Sequence, residues 1–187
     1  MIKKIFCLII ALISLTTCFA CAPTTSEPQI YDRYNNIEDF ANAQGYKNWE
    51  YFCGDVEDEV DYMVYSKYSG KYLDFTGQGF VQKDHWMPAV NGEIMVAFKA
   101  PKAGNINVTL KVDLLSLQEI GSDGIAFYVT SDNNSSYFYN ATLRGENLSA
   151  ETTFQCQLEQ DERIYFIMSA LTSNTNDRSR VEITITY

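Results

Sequence analysis

Residues 161–187, DERIYFIMSALTSNTNDRSRVEITITY, decide the fold class. In the first half Ile164, Phe166, Met168 and Ala170 fall on one face. In the second half Val181, Ile183, Ile185 and Tyr187 alternate with Glu182, Thr184 and Thr186. A period of two belongs to a strand, and its apolar/polar form belongs to an antiparallel strand with one face on a core and one in water. Between the two halves, Ser173-Asn174-Thr175-Asn176-Asp177 has the composition of a loop.

The same pattern extends upstream. In residues 105–114, Ile106, Val108, Leu110, Val112 and Leu114 point one way while Asn107, Thr109, Lys111 and Asp113 point the other. Ile125, Phe127 and Val129 repeat it, as do Phe154, Cys156 and Leu158. Residues 49–53, 60–65, 94–99 and 136–143 are further strand candidates, separated by turn signals such as Pro101-Lys102-Ala103-Gly104 and Gly121-Ser122-Asp123-Gly124. About nine strands at ~8–12-residue spacing, with no long helix, predict an all-β chain. The expected architecture is a jelly-roll-like β-sandwich of two antiparallel sheets. One short helix is predicted over residues 36–45, capped by Asn36 and ended by Gly45.

The N-terminus reads as an export signal. Lys3 and Lys4 precede an uncharged apolar run over residues 5–15, too short for a membrane span of roughly 20 residues. Three processing sites compete. Leu15-Thr16-Thr17-Cys18 resembles a lipobox, with Thr17 a poor fit before the cysteine. Cys21 follows a well-fitting Ala20 but lacks the usual aliphatic residue three back. Ala20-Cys21-Ala22 is an A-x-A site followed by Pro23, which disfavours ordinary signal peptidase, and a plain secreted protein would be cut after Ala20. A lipid on Cys21 leaves Cys53 and Cys156 as a pair; a lipid on Cys18 leaves Cys21 as an odd thiol, uncommon in an exported chain. The expectation is a lipoprotein signal over residues 1–21, a flexible Pro/Thr/Ser-rich tether over 22–30 and one sandwich domain over 31–187. The lipid sits on Cys21 or Cys18, and Cys53 and Cys156 form a disulfide. The chain would then stand on a bacterial cell surface, or be secreted.

Charge narrows the partners. The 187 residues carry 14 Lys and Arg against 24 Asp and Glu, a net charge of −10, and loss of Lys3 and Lys4 makes it more negative. Nucleic acid and anionic membrane surfaces repel such a chain, so membrane contact is expected through the lipid alone. Catalytic motifs are scarce. The single histidine, His85, stands beside Asp84 and Trp86 with no partner in a catalytic pattern, and neither H-E-x-x-H nor G-x-S-x-G occurs. The acidic run Asp55, Glu57, Asp58, Glu59 and Asp61 has the oxygen ligands a structural Ca2+ needs, with Asp55, Asp58 and Asp61 as candidates, although its spacing is not that of an EF-hand. The alternative is a solvated acidic loop. Ser173–Asp177 offers a second oxygen-rich loop of the same standing.

Four motifs, in order, carry a family resemblance. Asn48-Trp49-Glu50-Tyr51-Phe52-Cys53-Gly54-Asp55 resembles W-x-Y-x-x-G-D. Phe98-Lys99-Ala100-Pro101-Lys102-Ala103-Gly104-Asn105-Ile106-Asn107-Val108 resembles W-x-A-P-x-x-G-x-V-x-I, with Phe98 at the Trp position. Ser122-Asp123-Gly124-Ile125-Ala126-Phe127-Tyr128-Val129 resembles G-D-G-V-x-V-x-I, and Asp161-Glu162-Arg163-Ile164-Tyr165-Phe166 resembles G-D-x-I-Y-F. From about residue 48 to the end the chain resembles a β-sandwich, carbohydrate-binding-like module of extracellular bacterial glycan-processing proteins. The resemblance implies a sandwich and, as function, non-catalytic binding of a polysaccharide or oligosaccharide at the cell surface. Sugars stack their C–H faces on aromatic rings and bond their hydroxyls to short polar side chains. Two stretches supply both: Trp86 with its polar neighbours, and the loop carrying Asn133, Asn134, Tyr137 and Tyr139. The bland alternative is that these aromatics pack the sandwich. The alternative function is a protein-interaction or adhesion subunit of a surface assembly. No cofactor is expected beyond the candidate Ca2+.

Overall fold

In the computed structural model, residues 29–55, 60–90, 92–115, 122–133 and 136–187 are described. The export signal, Cys18, Cys21, most of the tether, Glu57, Asp58 and Asn134 therefore lie outside the described residues. In chain order the strands are β1 Arg33–Asn35, β2 Trp49–Gly54, β3 Val60–Tyr62, β4 Val64–Ser66, β5 Lys71–Leu73, β6 Phe80–Val81, β7 Trp86–Met87, β8 Glu93–Lys99, β9 Gly104–Leu114, β10 Ile125–Ser131, β11 Tyr139–Leu143, β12 Ser149–Leu158, β13 Arg163–Ala170 and β14 Ser179–Thr186.

They form two antiparallel sheets, as expected. The larger has the order β12-β9-β14-β7-β6-β5-β4, with β1 also paired to β14; the smaller has the order β11-β10-β13-β8-β2-β3. The inward faces meet in one core: Ile106, Val108, Leu110 and Val112 of β9 and Val181, Ile183 and Ile185 of β14 from the larger sheet, against Ile94, Val96, Phe98, Phe127, Val129, Phe166 and Met168 from the smaller. The outward residues of β9 and β12 stay polar and pair across the strands, with Gln155 donating to Asn107 at 2.7 Å. The smaller sheet differs. Its central strands β8 and β13 are buried on both faces, because Phe52, Met95, Ala97, Tyr165 and Ile167 form a second apolar cluster on the outer side. Tyr165 and Ile167, which simple alternation assigns to solvent, belong to it.

Three expectations are corrected. Residues 36–45 form no helix. Asn35 Oδ1 accepts from the Ile37 and Glu38 amides, each at 3.0 Å, closing a single turn. The Asn36 side chain is already committed to β14: it donates to the Val181 carbonyl at 3.0 Å and accepts from the Ile183 amide at 2.7 Å. A side chain that extends a sheet ladder is not available to cap a helix. The only helical element among the described residues is a single 3-10 turn, Tyr46–Asn48. Residues 60–65 are likewise two strands, β3 on the smaller sheet and β4 on the larger, with buried Met63 where the chain crosses between them.

The disulfide is also corrected: Cys53 and Cys156 are both free and buried. Strand order explains it. Cys156 lies on β12, the outer strand of the larger sheet, while Cys53 lies on β2, near the opposite flank of the smaller. In the smaller sheet β2 stands four strands from β11, which borders β12; that is roughly 19 Å at ~4.8 Å per strand, far beyond disulfide reach. Burial raises both thiols, Cys156 to about 11. The expected result is two unreactive thiols in the native domain at neutral pH. Both should alkylate after unfolding without reductant, read by peptide mass spectrometry; a single Cys53–Cys156 cross-linked peptide would refute this.

Candidate functional site

One end of the sandwich gathers the β10–β11 loop, the turn before β13 and the chain's approach to β1. β10 delivers Ser131 here, followed by Asp132 and Asn133. Asp132 is anchored twice: its Oδ2 accepts from the Arg163 amide and its Oδ1 from the Tyr165 hydroxyl, both at 2.8 Å. Arg163 in turn donates through Nε to Glu50 at 2.6 Å. The loop base is thus tied to the first residues of β13 and cannot swing freely.

Glu162 is the second anchor. Its Oε1 accepts from the Ser131 hydroxyl and its Oε2 from the Glu159 amide, both at 2.8 Å. Burial alone would raise its carboxyl, but these bonds and further ones from Asn133 outweigh it, so Glu162 titrates below its ordinary value and stays ionised.

Between these anchors lies an open groove of about 440 Å³, lined by Ser131, Asn133, Phe138, Gln157, Glu159 and Glu162. Phe138 is its aromatic wall. The Phe138 amide donates to the Val129 carbonyl at 2.8 Å, and its ring lies nearly parallel to Phe154 of β12, 12° apart with centroids 5.8 Å apart. Gln157 and Glu159 are exposed at the tip of β12. The groove therefore offers an apolar ring, two amides and carboxylate oxygens.

Of the residues singled out in the sequence, Asn133 lines this groove. Tyr137 is 49% exposed but leans away from it, with its ring 4.9 Å from Tyr128 on the outer face of the smaller sheet. Tyr139 is half-buried and packs against the core, and burial raises its hydroxyl. Trp86 is a correction. It is fully buried, with its ring 6.1 Å from Phe127, and no sugar reaches it. It sits on β7, which pairs with β6 on one side and with Ser179 of β14 on the other. Strand pairing draws the indole inward although Lys83, Asp84 and His85 precede it; His85 Nδ1 lies 2.8 Å from Asp84 Oδ1. Asp55 and Asp61 flank the 56–59 segment, and among the described residues no three His, Cys, Asp or Glu side chains converge. Phe138, which the sequence reading passed over for its two tyrosine neighbours, is the aromatic that reaches the groove.

No family model matches the chain, and no curated protein matches it. Among solved structures it is similar to carbohydrate-binding modules. With the CBM51 of Clostridium perfringens GH95 in complex with methyl-galactose it shares 9% identity over 82% of this chain and 99% of that one, at a TM-score of 0.42. With the carbohydrate binding module of Cellvibrio mixtus lichenase 5A in complex with cellotriose the values are 13% identity, 72% and 95% coverage and a TM-score of 0.32. With the CBM51-2 and INT domains of Clostridium perfringens ZmpB it shares 9% identity at a TM-score of 0.37, covering 70% of this chain and 23% of that longer one. Among the described residues no helix is long and apolar enough to cross a membrane.

Proposed function

We propose that the chain is a non-catalytic glycan-binding protein, held at a bacterial cell surface by a lipid on Cys21 or Cys18, and that the Phe138 groove is where the glycan sits. The groove's composition carries this reading. Phe138 offers a flat apolar ring for one face of a sugar, while Asn133, Gln157 and Glu159 surround it with donors and acceptors. Its volume falls within the ~300–1,000 Å³ of small-ligand sites. The acidic chain and exposed Glu159 favour a neutral sugar over a uronate. The non-catalytic reading is supported by Glu162. Both of its oxygens are engaged and it is held ionised, so it is unfit to donate a proton at neutral pH.

A shallow, wet site predicts weak binding, near millimolar, worth only ~4 kcal/mol. A glycan array with the purified chain should return hits among neutral oligosaccharides. Phe138→Ala should weaken the best hit by about tenfold, and exposed Gln157→Ala should weaken it several-fold without moving the melting temperature. Binding unchanged in both variants would remove the groove from consideration.

A second reading, a protein-interaction or adhesion subunit, is favoured by the other flank. There Tyr68 is 92%, Phe75 74% and Val64 73% exposed around β4 and the turns on either side of β5. An empty array, together with loss of surface association in Tyr68→Ser/Phe75→Ser, would put that reading first.

A further inference from the structure

Exposed apolar side chains crowd on the flank formed by β3 and β4. β3 is the outer strand of the smaller sheet and β4 that of the larger, and the chain passes from one to the other through buried Met63. Val60, Tyr62, Val64, Tyr68 and Phe75 are all exposed here. Phe75 is held by its turn. The Asp74 carboxylate accepts from the Thr76 hydroxyl at 2.8 Å and from the Gln78 amide at 3.0 Å. The Phe75 amide donates to the Cys53 thiol, and Cys53 lies opposite Asp61 of β3. Val64 of β4 lies opposite Leu73, two residues before Phe75, so this turn joins the two sheet edges.

The charges on this flank have both signs. Asp55 and Asp61 are exposed at its β3 end. Lys67 is exposed in the turn after β4, with its Nζ 5.3 Å from the centre of the Tyr68 ring. Neither Asp61 nor Lys67 forms an ion pair among the described residues. Each stands three residues from Val64, ~10 Å along an extended chain. A patch of one sign calls for a partner of the other. A patch with a negative end, an apolar middle and a positive end matches itself turned through half a circle.

We propose that this flank binds a second copy of the chain, the two β4 strands running antiparallel about a twofold axis at Val64. Val64 then meets Val64, Tyr62 lies opposite Ser66, and Asp61 of each copy lies beside Lys67 of the other, with no like charges opposed. A net charge of −10 makes two copies repel in most orientations, and the Asp61–Lys67 pairs favour this one. The rings of Tyr62, Tyr68 and Phe75, at ~150–250 Å² each and half or more exposed, supply several hundred Å² per copy. That is below the ~800 Å² per partner of a standard interface, so the dimer dissociates in the micromolar range. The proposal rests on the interaction reading of this flank and not on the groove.

The test is sedimentation of the purified chain over the micromolar range. A monomer–dimer equilibrium should appear and weaken as salt rises. Asp61→Lys and Lys67→Glu should each raise the dissociation constant by about tenfold or more, because each opposes like charges twice. Both positions are exposed, so neither variant should move the melting temperature. Mixed in equal amounts, the two variants should pair again about as tightly as the parent, since both contacts are then between opposite charges. A chain that stays monomeric would overturn the proposal. So would a dimer indifferent to both reversals, or a mixture that fails to recover. A monomeric chain that still loses surface association in Tyr68→Ser/Phe75→Ser would overturn the second copy as occupant while leaving the interaction reading, with a different protein on this flank.

Discussion

Trp86→Ala should cost about 3–5 kcal/mol, the range for emptying a buried aromatic site. In a domain of this size that lowers the melting temperature by roughly 6–20 °C. The indole is fully buried in the main core and packs against Phe127. Its Nε1 has no hydrogen-bond partner, so the loss is one of packing rather than of a polar contact. Trp86→Phe should recover much of the difference, because it restores ring volume without the nitrogen. Calorimetry of the two variants decides the matter. A small shift for alanine, accompanied by lost ligand binding, would return Trp86 to the surface and contradict the packing described above.

Gly124→Ala should be comparably severe. Gly124 has φ of +105°, where a side chain is strained. A Cβ there would lie 2.3 Å from the Leu143 carbonyl oxygen and 2.7 Å from Arg144 Cβ. The obstacle is backbone of the paired strand β11, which cannot rotate away as a side-chain tip can. Strain of about 1–3 kcal/mol and overpacking of about 1–3 kcal/mol act together. The same substitution displaces the amide that donates to Asp177, so the β13–β14 loop should loosen first. Amide exchange should accelerate in residues 171–178 before the rest of the domain. Exchange that is uniform, or unchanged, would refute this coupling.

The long strands were legible because their alternation is local. β9 and β14 carry their burial in their own period, and the structure buries Ile106, Val108, Leu110, Val112, Val181, Ile183 and Ile185 as expected. What failed was set by partners distant in sequence. Trp86 follows Lys83, Asp84 and His85, and a two-residue strand has no period to read; β6 and β14 decide that it faces inward. Cys53 and Cys156 each lie on a readable strand, but the order of strands across the two sheets keeps them apart, and no local pattern encodes that order. Phe138 was hidden between two tyrosines; its amide bonds to Val129 and its ring packs on Phe154 of β12. Asp123 read as part of a turn and Asp177 as part of a loop. That Asp177 accepts from Ser122 and Gly124, on either side of Asp123, follows from β10 and β13 lying side by side.

The direction of β1 has a consequence for how such a protein would meet its ligand. β1 runs antiparallel to β14, with Arg33 opposite Thr186, so the chain arrives at the end that holds the groove. β12, whose tip forms one groove wall, stands two strands from β14, about 10 Å away. A lipid on Cys21 would leave residues 22–30 as a leash of at most ~30 Å. The groove would then look down toward the bilayer rather than out into the medium. Free polymers in solution would have to pass beneath the domain, whereas chains growing from the envelope, or threaded along it by a neighbouring protein, would meet the groove directly.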